Sequence, residues 1–263
     1  MRAWAFSDAV TPEGTRLGWV GLGNAVDTDF SFGIDHGRFA AMSLRVDSRK
    51  ASGAALKLQL AEAVQEELAQ GGNVSNKRKK ELREAILAKL ISKAEWTPAL
   101  TDCLWDLEKG RLLVAASPKA ALPLLERFTS TFGVDAQPYT PNEDLPSFFA
   151  RLSRENVSVN GRELSCAGSA TLATPLHVEG KMAVAVQNNE NTIASALDEG
   201  LIIRKLAMIA DASLEFSLDT SLTISGLKLP KAEKGADADT DFLLKADVCV
   251  MVADLALAIA GVA

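Results

Sequence analysis

What is scarce in this chain narrows its chemistry before any pattern is read. Of its 263 residues only two are histidines, His36 and His177, and three are cysteines, Cys103, Cys166 and Cys249. Two histidines leave little for an imidazole-based metal site, and neither an H-E-x-x-H motif nor a paired C-x-x-C is present. The cysteines are odd in number, far apart and mostly flanked by apolar residues, as in Val248-Cys249-Val250, so they read as buried reduced thiols. Long apolar runs are missing as well. None reaches the length needed to cross a bilayer, and Met1-Arg2-Ala3-Trp4-Ala5-Phe6 lacks the apolar stretch of a signal peptide. A cytosolic protein without a membrane partner is expected.

The usual catalytic and cofactor patterns are thin. Gly18-x-x-Gly21-x-Gly23 lacks the dinucleotide spacing and has no lysine for a phosphate-binding loop. Asp237-Ala238-Asp239-Thr240-Asp241 starts like a calcium loop, but its sixth position is Phe242 and its twelfth Val248, where glycine and glutamate are required. It reads better as an acidic cap on the final helix, with Asp239 or Thr240 as the capping residue. Asp102, Asp106 and Glu108 could gather around Mg²⁺ in a nuclease, and Asp106 and Glu108 share a strand face, as solvated hairpin residues often do. No cofactor, metal or catalytic residue is therefore assigned, and a non-enzymatic role is expected.

What the sequence does have is a core and an uneven charge. Apolar residues make up 48%, and the length favours two substructures or one domain with an inserted arm. The net charge of −6 argues against a polyanionic partner on average. Phosphates sense only charge within roughly 8 to 10 Å at physiological salt, so segregation matters more than the mean. From Lys77 to Lys93 seven positive residues face only Glu81 and Glu84, whereas from Asp211 onward nine acidic residues face four lysines. Taken alone, Lys77-Arg78-Lys79-Lys80 is most simply a solvated helix face.

Periodicity gives the organisation. Thr11-Pro12-Glu13-Gly14 signals a turn, and the alternation from Phe39 to Asp47 marks a half-buried strand. Leu56, Leu60, Ala63, Val64 and Leu68 then fall at helical spacing, predicting a helix over 52–70 stopped by Gly71-Gly72. A second helix follows from Lys77 to about Ser92, capped by Ser75 or Asn76, so the pair forms an antiparallel helical arm with a basic loop. A hairpin through Leu107-Glu108-Lys109-Gly110 and a helix from Ser117-Pro118 to Phe128 come next. Pro138, Pro141 and Pro146 break the chain before a C-terminal α+β part with strands at 170–177, 181–186, 201–208 and 213–218, a short helix at 192–199 and a closing helix at 239–262. The division is thus 1–50 with 100–138 as a central α+β part, 51–99 as the arm, and 139–263 as the C-terminal part. Val248 to Ala253 is apolar almost all round, so Val250 and Met251 are expected to meet the core on one side and a second subunit on the other.

Read together, several stretches resemble the RdgC family in order and spacing. They are Phe6 through Leu17-Gly18-Trp19-Val20, Ala55 to Ala63, Lys80 to Leu87, Leu104-Trp105-Asp106-Leu107-Glu108-Lys109-Gly110-Arg111-Leu112-Leu113-Val114, Gly200 to Met208 and Asp241 to Asp247. The resemblance spans roughly residues 5 to 260, and none of its motifs is catalytic. It implies an α+β fold of two sheet-containing parts with a protruding arm, assembling as a ring-shaped homodimer. Such a ring would hold double-stranded DNA without sequence preference, restrain recombinase-driven strand exchange and associate with the nucleoid, with a recombinase filament as a further partner. It assigns DNA contact to Lys77, Arg78, Lys79, Lys80 and Arg83, since a family arginine falls near Gly72. A family basic pair falls at Ala185 and Val186, leaving Gln187 nearby. The family's arm-to-arm aromatic falls near Glu95, with Trp96 adjacent. Compared with the family, a strand and helix are missing before Met1. Two other readings remain: a metal-dependent exonuclease, a label the family has carried, and a phage or mobile-element interaction protein that keeps the fold without DNA affinity.

Overall fold

The computed structural model describes residues 2–11, 14–174, 183–187, 190–231, 235 and 237–262, with the backbone alone at 2, 183–187, 190 and 191. Two antiparallel sheets and, among the described residues, six α-helices make the chain an α+β protein. No helix among the described residues is long and apolar enough to cross a membrane.

The first sheet is built from β1 (Arg16–Val20), β2 (Asp35–His36), β3 (Phe39–Arg49), β4 (Trp96–Asp106) and β5 (Arg111–Val114), in the order β1-β3-β4-β5 with β2 also on β3. Alternation in β3 sends Ala40, Met42, Leu44 and Val46 to one face, where they pack with Trp19, Cys103, Leu124 and Phe128. The last two come from α3 (Pro118–Phe132), which starts with proline in its first turn and stops at Gly133 in the left-handed region, φ 69°. Gly18 on β1 permits the N-terminal segment to cross it, since a Cβ there would lie 2.3 Å from the Phe6 Cα. β3 and β4 pair along all their residues, from Phe39 with Asp106 to Arg49 with Trp96. Inserted at the open end of that hairpin are α1 (Gly53–Ala69) and α2 (Asn76–Lys93), which pack on one another and bury no residue fully. Beyond β5 the first half of β4 has one neighbour only, and Pro98 sits there, where a missing N–H is tolerated.

The second part opens with a helix. Pro146 lies in the first turn of α4 (Leu145–Leu152), which buries Leu145, Phe149 and Leu152, so the proline cluster conceals a helix start. The second sheet follows: β6 (Val157–Val159), β7 (Arg162–Ala173), β8 (Ala183–Gln187), α5 (Glu190–Asp198), β9 (Ile202–Ala210), β10 (Leu214–Asp219) and β11 (Ile224–Ser225). Its order is β11-β10-β9-β7-β6, with β8 also on β7. The strand expected from Ala170 starts at Arg162. A register shift between Cys166 and Ala170, with Gly168 at φ 75°, interrupts the alternation that sequence reading relies on. Residues 175–182, where one expected strand ends and the next begins, lie outside the described residues.

The closing helix α6 (Ala238–Ile259) serves both sheets. It places Ala246 and Val250 against Phe39, Leu104 and Leu113 of the first sheet, and Val252, Leu255, Ala256 and Ile259 in the core of the second. Polar ties add to this: His36 Nδ1 and Asp239 share a hydrogen bond of 2.9 Å, and Asp254 pairs with both Lys109 and Arg111. The cap is Asp237, whose carboxylate accepts the Thr240 N–H at 2.7 Å, ahead of the expected Asp239 or Thr240. Of the thiols, Cys103 is buried, and burial first, then the nearby Asp102, pushes it up to about 12. Cys166 and Cys249 are only half-buried.

Asp106 ends β4 with no exposed surface and holds the β4–β5 turn closed. Its carboxylate accepts the backbone N–H groups of Glu108 and Lys109 and two N–H bonds from Arg38, the shorter at 2.7 Å. Burial alone would raise this carboxyl, but Arg38 and the two backbone donors together hold it below the usual carboxylate range. We expect Asp106→Ala to cost about 1 to 3 kcal/mol in urea unfolding at neutral pH, because it removes the acceptor of the Glu108 and Lys109 N–H groups that closes the turn. A depressed native pKa stabilises the fold above the unfolded value of about 4 and ceases to do so as pH falls through the native value. The gap between wild type and variant should therefore be full at neutral pH and shrink in acid below about pH 4. A gap that is absent, or independent of pH, would show that the pair is not charged in the native state.

Candidate nucleic-acid interface

The helical hairpin is shaped by its own termini. Ser52 Oγ accepts the Ala55 N–H at 3.3 Å to start α1, and Ser75 Oγ accepts the Arg78 N–H at 3.2 Å to start α2. At the end of α1 the Gly71 N–H donates to Leu68 and the Gly72 N–H to Glu67, the paired bonds of a glycine-terminated helix, with Gly71 at φ 80°. A Cβ on residue 72 would lie 2.9 Å from the Glu67 carbonyl oxygen. Position 72 is thus closed to an arginine without a backbone shift, and the cations of this chain stand beyond the turn.

Those cations are not equivalent. Arg78 donates Nε and a terminal nitrogen to Glu67 at 2.8 and 2.6 Å, and reaches Glu81 at 3.3 Å. The hydrogen bonds to Glu67 and then Glu81 raise its already high pKa, and they tie α2 to the end of α1. Lys80 stands 3.9 Å from Glu84, a loose exposed pair. Lys77, Lys79 and Arg83 are exposed, and none forms an ion pair among the described residues; the same holds for Lys89 and Lys93 further along α2. Lys77, Arg78 and Lys79 crowd the first turn of a helix with no acidic residue there, although that end of the dipole is positive. On the two sheets most cations are matched instead, as in Arg38 with Asp106, Arg45 with Asp47, Arg111 with Asp254 and Arg162 with Asp211. Five exposed cations without an ion pair among the described residues thus lie along α2.

Other sequence-derived positions fall elsewhere. Trp96 begins β4 at the foot of the hairpin, directly opposite Arg49, and the guanidinium groups of Arg16 and Arg49 lie over its ring at 4.2 and 4.3 Å. It is half-buried and engaged within the chain, while Glu95 beside it is exposed. Val250 is only 4% exposed and Met251 is half-buried against the second core. Two cores within the chain thus take up Val250 and part of Met251. Gln187 ends β8 opposite Ser169, and its side chain lies outside the described residues.

The three carboxylates weighed for metal chemistry each have a local structural partner. Asp102 accepts the Ser43 hydroxyl at 2.5 Å, Asp106 closes the β4–β5 turn, and Glu108 reaches Arg38 at 3.3 Å. Glu108 lies in the turn rather than on the strand, so it does not share a strand face with Asp106. Among the described residues no three histidine, cysteine or carboxylate side chains are grouped so as to hold a metal ion.

No curated protein matches the chain. A family model does, from residue 1 to residue 263, under the description "Putative exonuclease, RdgC". With the whole chain covered, and with the two-sheet α+β fold and cation-bearing hairpin already in view, this protein belongs to the RdgC family.

Proposed function

We propose that this protein binds the backbone of double-stranded DNA without reading base sequence, as a homodimer that closes around the duplex, and so restrains recombinase-driven strand exchange. One observation carries the reading: exposed cations without carboxylate partners are concentrated on the helical hairpin, while those of the sheets are mostly neutralised within the fold. Membership of a recombination-associated, DNA-related family supports it. The hairpin acts as an arm standing off the tip of β3 and β4, where charge acts on a phosphate backbone without the acidic C-terminal half close by. Lys77, Lys79, Lys80 and Arg83 are the phosphate contacts, and the free N–H groups at the start of α2 favour an anion at the same place. Arg78 has a different role, holding the two helices together through Glu67. Crowding like charges in one helical turn costs tenths of a kcal/mol each, a cost offset when phosphates replace water there.

Because such binding releases condensed counterions, its affinity should fall with salt at a log-log slope of about −0.9 per neutralised phosphate, and duplexes of unrelated sequence should bind alike. Replacing Lys77, Lys79 and Arg83 with alanine should weaken every duplex equally and reduce the slope by about 1 for each cation removed. An unchanged slope in that triple variant, measured by fluorescence anisotropy, would rule out the arm as the DNA-binding surface.

The family description raises a nuclease reading, which requires carboxylates free to hold a divalent ion. Asp102, Asp106 and Glu108 are occupied as described, so linear duplex incubated with the purified protein and Mg²⁺ or Mn²⁺ should keep its length over hours. Progressive shortening from the ends, absent in a metal-free control, would favour the nuclease.

A further inference from the structure

Three side chains meet on the face of the first sheet turned away from α3. Arg16 opens β1 across from Asp47, and Arg49 lies two residues further along β3, directly opposite Trp96. Alternation therefore sends all three to one face. Both guanidinium groups lie over the Trp96 ring, at 4.2 and 4.3 Å from its centre. Arg16 Nε, Arg49 Nε and Trp96 Nε1 are each buried, and none has a hydrogen-bond acceptor among the described residues. Buried N–H groups are nearly always paired, so a cluster that is not marks a place where an acceptor belongs. Stacking compensates a guanidinium in part, but the indole N–H lies in the ring plane and gains nothing from it.

Charge at this place is unbalanced in the same sense. Asp47, buried beside the cluster, is already held by Arg45 at 2.8 and 2.7 Å. Arg49 forms no ion pair among the described residues and reaches only the Ser92 carbonyl, at 3.3 Å. Arg16 has one carboxylate partner, Asp8 at 2.6 Å, whose side chain is 83% exposed. An exposed pair of that kind is weakly held.

We propose that Arg16, Arg49 and Trp96 form a binding site for a phosphate dianion, and that Asp8 occupies it in the ligand's absence. The donors are covered, so the phosphate enters as Asp8 leaves. Lying against one ring, the two arginines stand within about a Debye length of each other and match a doubly charged ligand. A dianionic phosphate carries close to two charges and three strong acceptor oxygens, enough for donors that the Asp8 carboxylate leaves unpaired. A backbone phosphate carries a single charge, so this site selects differently from Lys77, Lys79 and Arg83 on the arm. The ligand is either free inorganic phosphate or the monoester at the 5′ end of a nucleic acid. The inference does not rest on duplex binding by the arm.

The test uses the isotope-labelled full chain, whose four tryptophans each give an indole N–H signal, the one from Trp96 being identified by its loss in Trp96→Phe. Titration with inorganic phosphate, at constant ionic strength and mildly alkaline pH, should move that signal downfield to saturation and leave the other indoles in place. Arg49→Gln should weaken the response about tenfold, with the other indole signals unchanged as the sign of an intact fold. Asp8→Asn should tighten binding severalfold, because the occupant is gone. Alanine at Lys77, Lys79 and Arg83 should leave the response as in wild type, so failure of the arm and failure of this site are read separately. Movement by inorganic phosphate but not by a 5′-phosphorylated oligonucleotide assigns the site to the free ion; movement by both assigns it to a nucleic-acid end as well. An unphosphorylated oligonucleotide that acts like the phosphorylated one overturns the choice of a dianion. No movement with phosphate, equal movement with chloride, or an Asp8→Asn variant that binds no tighter overturns the site.

Discussion

The residue-by-residue pairing of β3 with β4 is the constraint on which the rest depends. Both strands run the full distance from the Asp106 turn to Arg49 and Trp96, with β1 beside β3 from Ser43 to Asp47 and β5 beside β4 from Cys103 to Asp106. α1 and α2 are inserted at the end where Arg49 pairs with Trp96. That end is strengthened where Arg16 and Arg49 lie over Trp96 and where Arg49 donates to the Ser92 carbonyl, linking strand and helix.

The second dependence is on α6. A helix with buried residues on several sides is disfavoured at a surface, and here it is taken up by packing different residues against two different sheets. Asp254, reaching Lys109 and Arg111 beside the Asp106-closed turn, orients the first sheet relative to that helix. The turn, the helix and the β3–β4 pair thus connect the C-terminal core with the helical hairpin.

Much of this is legible in the chain without the fold. Ser75 among the two cap candidates, Gly71-Gly72 as a stop, Gly110 at a turn and the alternation of β3 all rest on local backbone preferences that tertiary context does not override. What escapes is equally physical. The start of β7 is hidden by a register shift at Gly168, and α4 by prolines that open helices as readily as they break them. The apolar ring of α6 suggests a second subunit because one sequence cannot distinguish a partner chain from a second core in the same chain. Lys77 and Arg78 are alike as charges, and only the position of Glu67 across the α1–α2 turn separates a free cation from a committed one.

The central claim is that duplex DNA is held by the arm's free cations. Amide hydrogen exchange, followed along the chain with and without an excess of random-sequence duplex, tests it most directly. The account predicts slowed exchange over the α1–α2 loop and the first turns of α2, from about Gly71 to Arg83, with the outer strands β10 and β11 unchanged. Slowed exchange on the second sheet with 71–83 unaffected would contradict it.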